Sequence, residues 1–206
     1  GVYLVGAAFT TLATVTTHFV FIYPDASNST QPVDVATPQL EVGSTPSSYI
    51  PTNGAAATRA AETLTAPSAK LPWSSSAVSI QMEGRQTGDN STMFRWYADA
   101  NNYITQGSGA SDYTFEQADG GTVDSVTGGS FTSGILQPFN FASTHASTLV
   151  AAAVSGTALT DNTTPTALPD LQSTDVNLGH SFNGTIGVVR VWAGNITEAG
   201  RKEASS

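Results

Sequence analysis

The chain has 206 residues, 39% of them hydrophobic and 11% charged, with a formal net charge of −9 and no cysteine. That is enough apolar material for a real core, and the length fits one large or two small domains. Lysine occurs only at Lys70 and Lys202. No basic stripe is available to displace counterions, which excludes nucleic acid and argues against an anionic membrane surface. The lack of cysteine excludes thiolate metal sites, and no apolar run approaches the ~18 residues of a membrane span. Ser, Thr, Ala and Gly take the place of the missing charge, a mixture that suits strands and tight turns better than helices.

The first elements are Val2–Val5 and Thr17–Tyr23, both rich in β-branched and aromatic residues and bounded by turn formers, hence strands. The opening GVYLVGAAFTTLATV lacks a basic n-region and reads as strand, not leader; a start at Gly1 is expected of a processed chain or a piece of a longer one. Short strands are expected at Val33–Ala36 and Gln39–Val42. From Gly43 to Trp73 the texture changes to Pro46, Pro51, Pro67 and Pro72 with an Ala-rich piece, Ala55–Glu62. This reads as a surface linker anchored by Tyr49 and Ile50. The boundary is therefore placed here, between a strand-rich part over 1–50 and a second over 74–206, with a linker over 51–73.

Strands resume at Val78–Glu83, whose alternation turns Val78, Ile80 and Met82 inward. Met93–Tyr97 follows a GDNST turn, with Phe94 and Trp96 on one face and Arg95 and Tyr97 on the other. Further strands are expected at Asn102–Thr105, Tyr113–Gln117, near Val123, and at Ser147–Val154, with a polar loop over Thr160–Pro169. Gly120-Gly121 and Gly128-Gly129 read as hairpin turns. In the last strand, Gly184–Trp192, a bulge near Gly187 would let Ile186, Val189 and Val191 all face the core. Thr197 is placed to cap a short helix, Glu198–Ala204, with Glu198 at its positive end. Many short strands and one small helix predict an all-β antiparallel sandwich.

Chemistry is sparse. Glycosidases need two carboxylates, but Glu83 stands alone, and Glu116 and Asp119 flank an apparent turn. His18, His145 and His180 are far apart in sequence, and no Gly-x-Ser-x-Gly occurs. No catalytic residue is expected. Asp99, Asn101 and Asn102, or Asp161 and Asn162, carry the hard oxygens that calcium takes, but neither group matches a calcium loop. Turn formation is the expectation, and no cofactor or metal is assigned. Aromatics remain. Sugar rings stack their C–H faces on Tyr and Trp and bond Asn, Asp and Arg at their edges. Trp96 and Trp192 are expected in packing, leaving Arg95, Tyr97, Tyr103 and Tyr113 as candidate carbohydrate-binding residues, the three tyrosines as exposed rings.

The stretch Gln39-Leu40-Glu41-Val42-Gly43-Ser44-Thr45-Pro46-Ser47-Ser48-Tyr49-Ile50-Pro51-Thr52, followed by Thr58-Arg59-Ala60-Ala61-Glu62, resembles a signature of phage and prophage tail proteins. There a carbohydrate-binding-module-like sandwich ends in a QLE-G-SYIPT pattern, and a TRAAD-like segment leads into a concanavalin A-like, laminin-G-like sandwich. Glu62 stands where that pattern has Asp. Leu178-Gly179, Asn183–Gly187, Val189–Trp192 and Ile196–Ala199 resemble the ending of such a domain. The resemblance runs from about Thr17 onward. It implies a concanavalin A-like jelly roll preceded by part of a second sandwich. It also implies a non-enzymatic virion protein: a tail fibre, spike or decoration component at the virion surface. The implied partners are a host-surface glycan, other virion proteins and copies of itself, a trimer being favoured. Two other readings stay open: a module of a secreted polysaccharide-degrading enzyme, and a purely structural cement.

Overall fold

The computed structural model describes residues 35, 38–41, 49–57, 64–132, 134 and 136–206. The chain divides into two compact units, Gly1–Arg59 and Ala60–Ser206. In the first, the described residues form neither strand nor helix, so Gln39–Glu41 is not the strand its apolar pattern predicts. What orders it is a side-chain contact: Ile50 N–H donates to Gln39 Oε1 at 2.7 Å, joining the two ends of the QLE–SYIPT stretch. Ile50 is half-buried but Tyr49 is exposed, so of the two expected anchors only Ile50 is covered. The expected strands at Val2–Val5 and Thr17–Tyr23, and His18, lie outside the described residues.

The second unit is a two-layer antiparallel sandwich. Its strands are β1 (Leu64–Ala66), β2 (Ala77–Gln86), β3 (Ser91–Asp99), β4 (Asn102–Ser108), β5 (Asp112–Asp119), β6 (Thr122–Ser130), β7 (Gln137–Ala146), β8 (Leu149–Val154), β9 (Thr157–Ala158), β10 (Val176–Ser181) and β11 (Gly184–Ala193). One helix, α1 (Thr197–Ala204), follows. Six strands form one sheet in the order β1-β10-β3-β4-β5-β6, and five form the other, β11-β2-β7-β8-β9. The sandwich starts before Ser74: Leu64–Ala66, inside the stretch read as linker, pairs with β10.

The core lies between the sheets. Phe94, Trp96, Ile104 and Phe115 from one meet Ile80, Met82, Phe141 and Val150 from the other, all fully buried. Trp96 is core as expected; a buried indole needs an acceptor, and its Nε1–H donates to the carbonyls of Leu171 (3.1 Å) and Thr174 (2.8 Å). The expected bulge in β11 is present: pairing with β2 shifts between Ile186 and Val188, and Ile186, Val189 and Val191 all pack on the core. The helix starts one residue earlier than predicted, at Thr197 with Ile196 as its cap residue, and Thr197 Oγ1 accepts the N–H of Gly200 at 3.3 Å.

Gly128-Gly129 is not a hairpin turn but lies inside β6, where pairing with β5 shifts register. The reason is local crowding. Gly129 sits at φ +69°, and a Cβ there would fall 2.6 Å from Val154 Cγ2. Gly120-Gly121 does form the expected turn between β5 and β6. The predicted strand Ser147–Val154 begins only at Leu149, because Ser147-Thr148 turns the chain from β7 into β8. β7 itself escaped the sequence reading. Its inward residues are Phe139, Phe141, Ser143 and His145, and its other face is also buried from Ala142 onward, where α1 packs against β7 and β8.

Candidate functional site

The β3–β4 hairpin brings three of the four candidate residues together. The residues of β3 alternate, so Phe94 and Trp96 enter the core while Arg95 and Tyr97 stand on the outer face. Register places Tyr97 opposite Tyr103, and Arg95 opposite Thr105. The two phenol rings stack, with centroids 5.9 Å apart and planes at 22°. The Arg95 guanidinium lies over the Tyr97 ring, 3.6 Å from its centroid. All three residues are half-buried. This is a cation–π ladder on an open sheet, and it holds the guanidinium in place without neutralising it.

Tyr113 corrects the sequence reading. It is 2% exposed, packed against Phe131 and Phe141, and burial pushes its phenol up to about 12. The parity of β5 explains this: Tyr113, Phe115 and Gln117 face in, while Thr114 and Glu116 face out. A ring sealed between the sheets cannot stack on a ligand. Tyr103 is also raised, mainly by burial and then by the negative charge of Glu116 and by Tyr97, so its hydroxyl stays a neutral donor.

The support of the hairpin is polar. Asp99 Oδ1 accepts the N–H of Asn101 (2.7 Å) and of Asn102 Nδ2 (3.1 Å). Asn101 O accepts from Gly121 N–H, and Asn102 Oδ1 from Gly120 N–H. The β3–β4 turn is thus stitched to the β5–β6 turn, and the Asx residues weighed as calcium ligands form turns. Asp161 and Asn162 are likewise engaged, Asp161 facing Arg201 at 3.7 Å and Asn162 Oδ1 accepting from Thr164 N–H. Among the described residues no three His, Cys, Asp or Glu side chains converge as a metal site would need.

Beyond Tyr103 on the same face is a shallow recess of about 180 Å³, bordered by Thr92, Thr105, Gly107, Thr114 and Glu116. Gly107 keeps it open. A Cβ there would stand 2.1 Å from the Ser91 carbonyl oxygen, so only glycine allows β3 to pass this closely. The recess escaped the sequence reading, because its borders are ordinary Thr and Gly whose meeting depends on register.

Glu116 stands on the outer face, accepting a long contact from Thr105 Oγ1 (3.4 Å), Asp119 ends β5, and Glu83 is exposed on the other sheet. His145 is fully buried with Nε2 3.0 Å from Ser143 Oγ, and burial lowers its pKa to about 3. His180 is exposed. Among the described residues no helix is long and apolar enough to cross a membrane.

No family model matches the chain, and no curated protein sequence matches it. Solved structures do resemble it. Domain 4 of AbnA, an extracellular GH43 arabinanase from Geobacillus stearothermophilus, in complex with arabinotriose, aligns over 70% of this chain and 72% of its own, with 16% identity and TM-score 0.53. The CBM40 of the Ruminococcus gnavus IT-sialidase, bound to α2,3-sialyllactose, aligns over 64% of this chain and 83% of its own, with 12% identity and TM-score 0.53. Domains LG4-5 of the mouse laminin α1 chain align over 63% of this chain, at 14% identity and TM-score 0.50; this chain spans 38% of that one. At such identities the likeness defines the fold: a concanavalin A/laminin-G-like, carbohydrate-binding-module-like sandwich.

Proposed function

We propose that this chain is a non-catalytic, lectin-like module of a phage virion that binds host-surface glycans from outside the cell. The observation that carries glycan binding is the Arg95–Tyr97–Tyr103 ladder, a fixed aromatic and hydrogen-bonding surface on the open face of a rigid sheet. Two of the similar structures, solved with arabinotriose and with sialyllactose, support the same reading. The virion context rests on the likeness of residues 39–62 to phage tail proteins. In that setting the chain works as a tail fibre, spike or decoration component and assembles with copies of itself, a trimer being favoured, because weak sugar contacts gain from multivalency. A module attached to a polysaccharide-degrading enzyme is the second reading, favoured by the arabinanase domain.

The test is binding of the full chain to surface polysaccharides of candidate bacterial hosts, with Tyr103→Ala alongside. Saturable binding lost in Tyr103→Ala, and antibody labelling of the tail of a phage particle, are the expected results. Release of reducing ends from the polysaccharide would replace this reading with the enzymatic one. Binding indifferent to Tyr103 would remove the site.

A further inference from the structure

The arginines of the sandwich are not equivalent. Arg85 donates to Leu136 O, Arg190 to Gln81 Oε1, and Arg201 to Thr144 and Asn195. Among the described residues the ion pairs are Arg201–Asp161 and Lys202–Glu198. Among the described residues Arg95 has neither kind of partner. Its neighbours across the sheet are Thr105 on β4 and Asn177 on β10, both uncharged, and among the described residues its side chain meets the Tyr97 ring alone. A guanidinium held flat by a ring, with its N–H donors unclaimed, is suited to a planar two-oxygen acceptor, which a carboxylate supplies.

The recess has the opposite character. Its Thr hydroxyls and the Glu116 carboxylate offer acceptors and neutral donors, which suit sugar hydroxyls and repel a second acid. Arg95 stands opposite Thr105, which borders the recess, so the guanidinium and the recess adjoin across one strand spacing, roughly 4.8 Å. Two neighbouring sugars of one short chain can occupy both.

We propose, building on the glycan-binding reading above, that this face selects an acidic oligosaccharide, its carboxylate taken by Arg95 and an uncharged neighbouring sugar seated in the recess beside Glu116. The formal charge of −9 sharpens the class. Long-range repulsion disfavours a densely charged polyanion and leaves a glycan with isolated acidic units as the better ligand.

The experiment is a glycan array of acidic oligosaccharides, each beside its carboxyl-reduced counterpart, probed with the full chain, Arg95→Gln, Arg95→Lys and Glu116→Gln. The melting temperature of each variant is recorded as a folding control. The expected result is binding of acidic members at least about tenfold tighter than their reduced forms. Arg95→Gln removes the difference, Arg95→Lys keeps part of it, and Glu116→Gln weakens binding while the preference for acid stays. Reduced glycans bound as well as acidic ones, or a preference that survives Arg95→Gln in a folded protein, would overturn the inference. If neutral glycans bind and Tyr103→Ala abolishes that binding, the site stands and the selectivity for acid falls. If no glycan of either kind binds, the glycan-binding reading and this inference fall together.

Discussion

The outer faces of the two sheets carry contrasting arginines. On the five-stranded sheet, α1 covers β7 and β8, and Arg201 is 1% exposed, facing Asp161, Thr144 and Asn195. Burial works against its charge, and Asp161 and Glu198 restore it. Beneath it, Ala151, Ala153 and Thr144 are fully buried, and the small alanines let the helix approach. On the six-stranded sheet no helix covers β3–β5 among the described residues, and Arg95 rests on Tyr97 with its donors unclaimed. One cation is consumed in holding the fold together; the other rests on an aromatic ring.

Substitutions should separate the two faces. The largest effect is expected from Arg201→Ala, which leaves Thr144 and Asp161 without their cation and opens a gap under α1. A loss of about 3 kcal/mol in denaturant unfolding, with glycan affinity kept, is the expected outcome. Acidification comes next. The buried His145 is neutral with a folded pKa of about 3, below its unfolded value of 6.5. Between those values the unfolded chain binds the additional proton, so this group's stabilisation is present above pH 6.5 and is lost as the pH falls toward 3. The loss amounts to about 2 kcal/mol by pH 5, and melting curves of His145→Gln should lack this component. Ala153→Leu overpacks the helix contact and should cost about 1–2 kcal/mol by thermal melting. Arg95→Ala should cost only about 0.5–1 kcal/mol, since it removes one cation–π contact on the sheet surface.

Much of this contrast was legible in the alternation of residues. The parity of β3 separates Trp96 from Arg95 and Tyr97, and the apolar spacing around Gly187 predicts the β11 bulge. Three features were not legible. Tyr113 has the same composition cues as Tyr103, and only the phase of β5, set by its pairing, turns it inward. In β7 the core positions Ser143 and His145 are polar, because Gln106 reaches Ser143 across the core and Ser143 in turn meets His145, so the strand lacks an apolar stripe. The recess depends on Gly107 passing Ser91, a contact between strands that no single segment encodes. Local pattern reveals which way a residue points once its strand is known; pairing partners decide what it meets.

The most direct measurement is chemical-shift mapping of backbone amides on titration with a bound oligosaccharide. The account predicts shifts concentrated at Arg95, Tyr97, Tyr103 and Thr105 and extending to Gly107 and Glu116, with the amides beneath α1 unmoved. Shifts confined to the loop over residues 159–175, or to the five-stranded sheet, would contradict it.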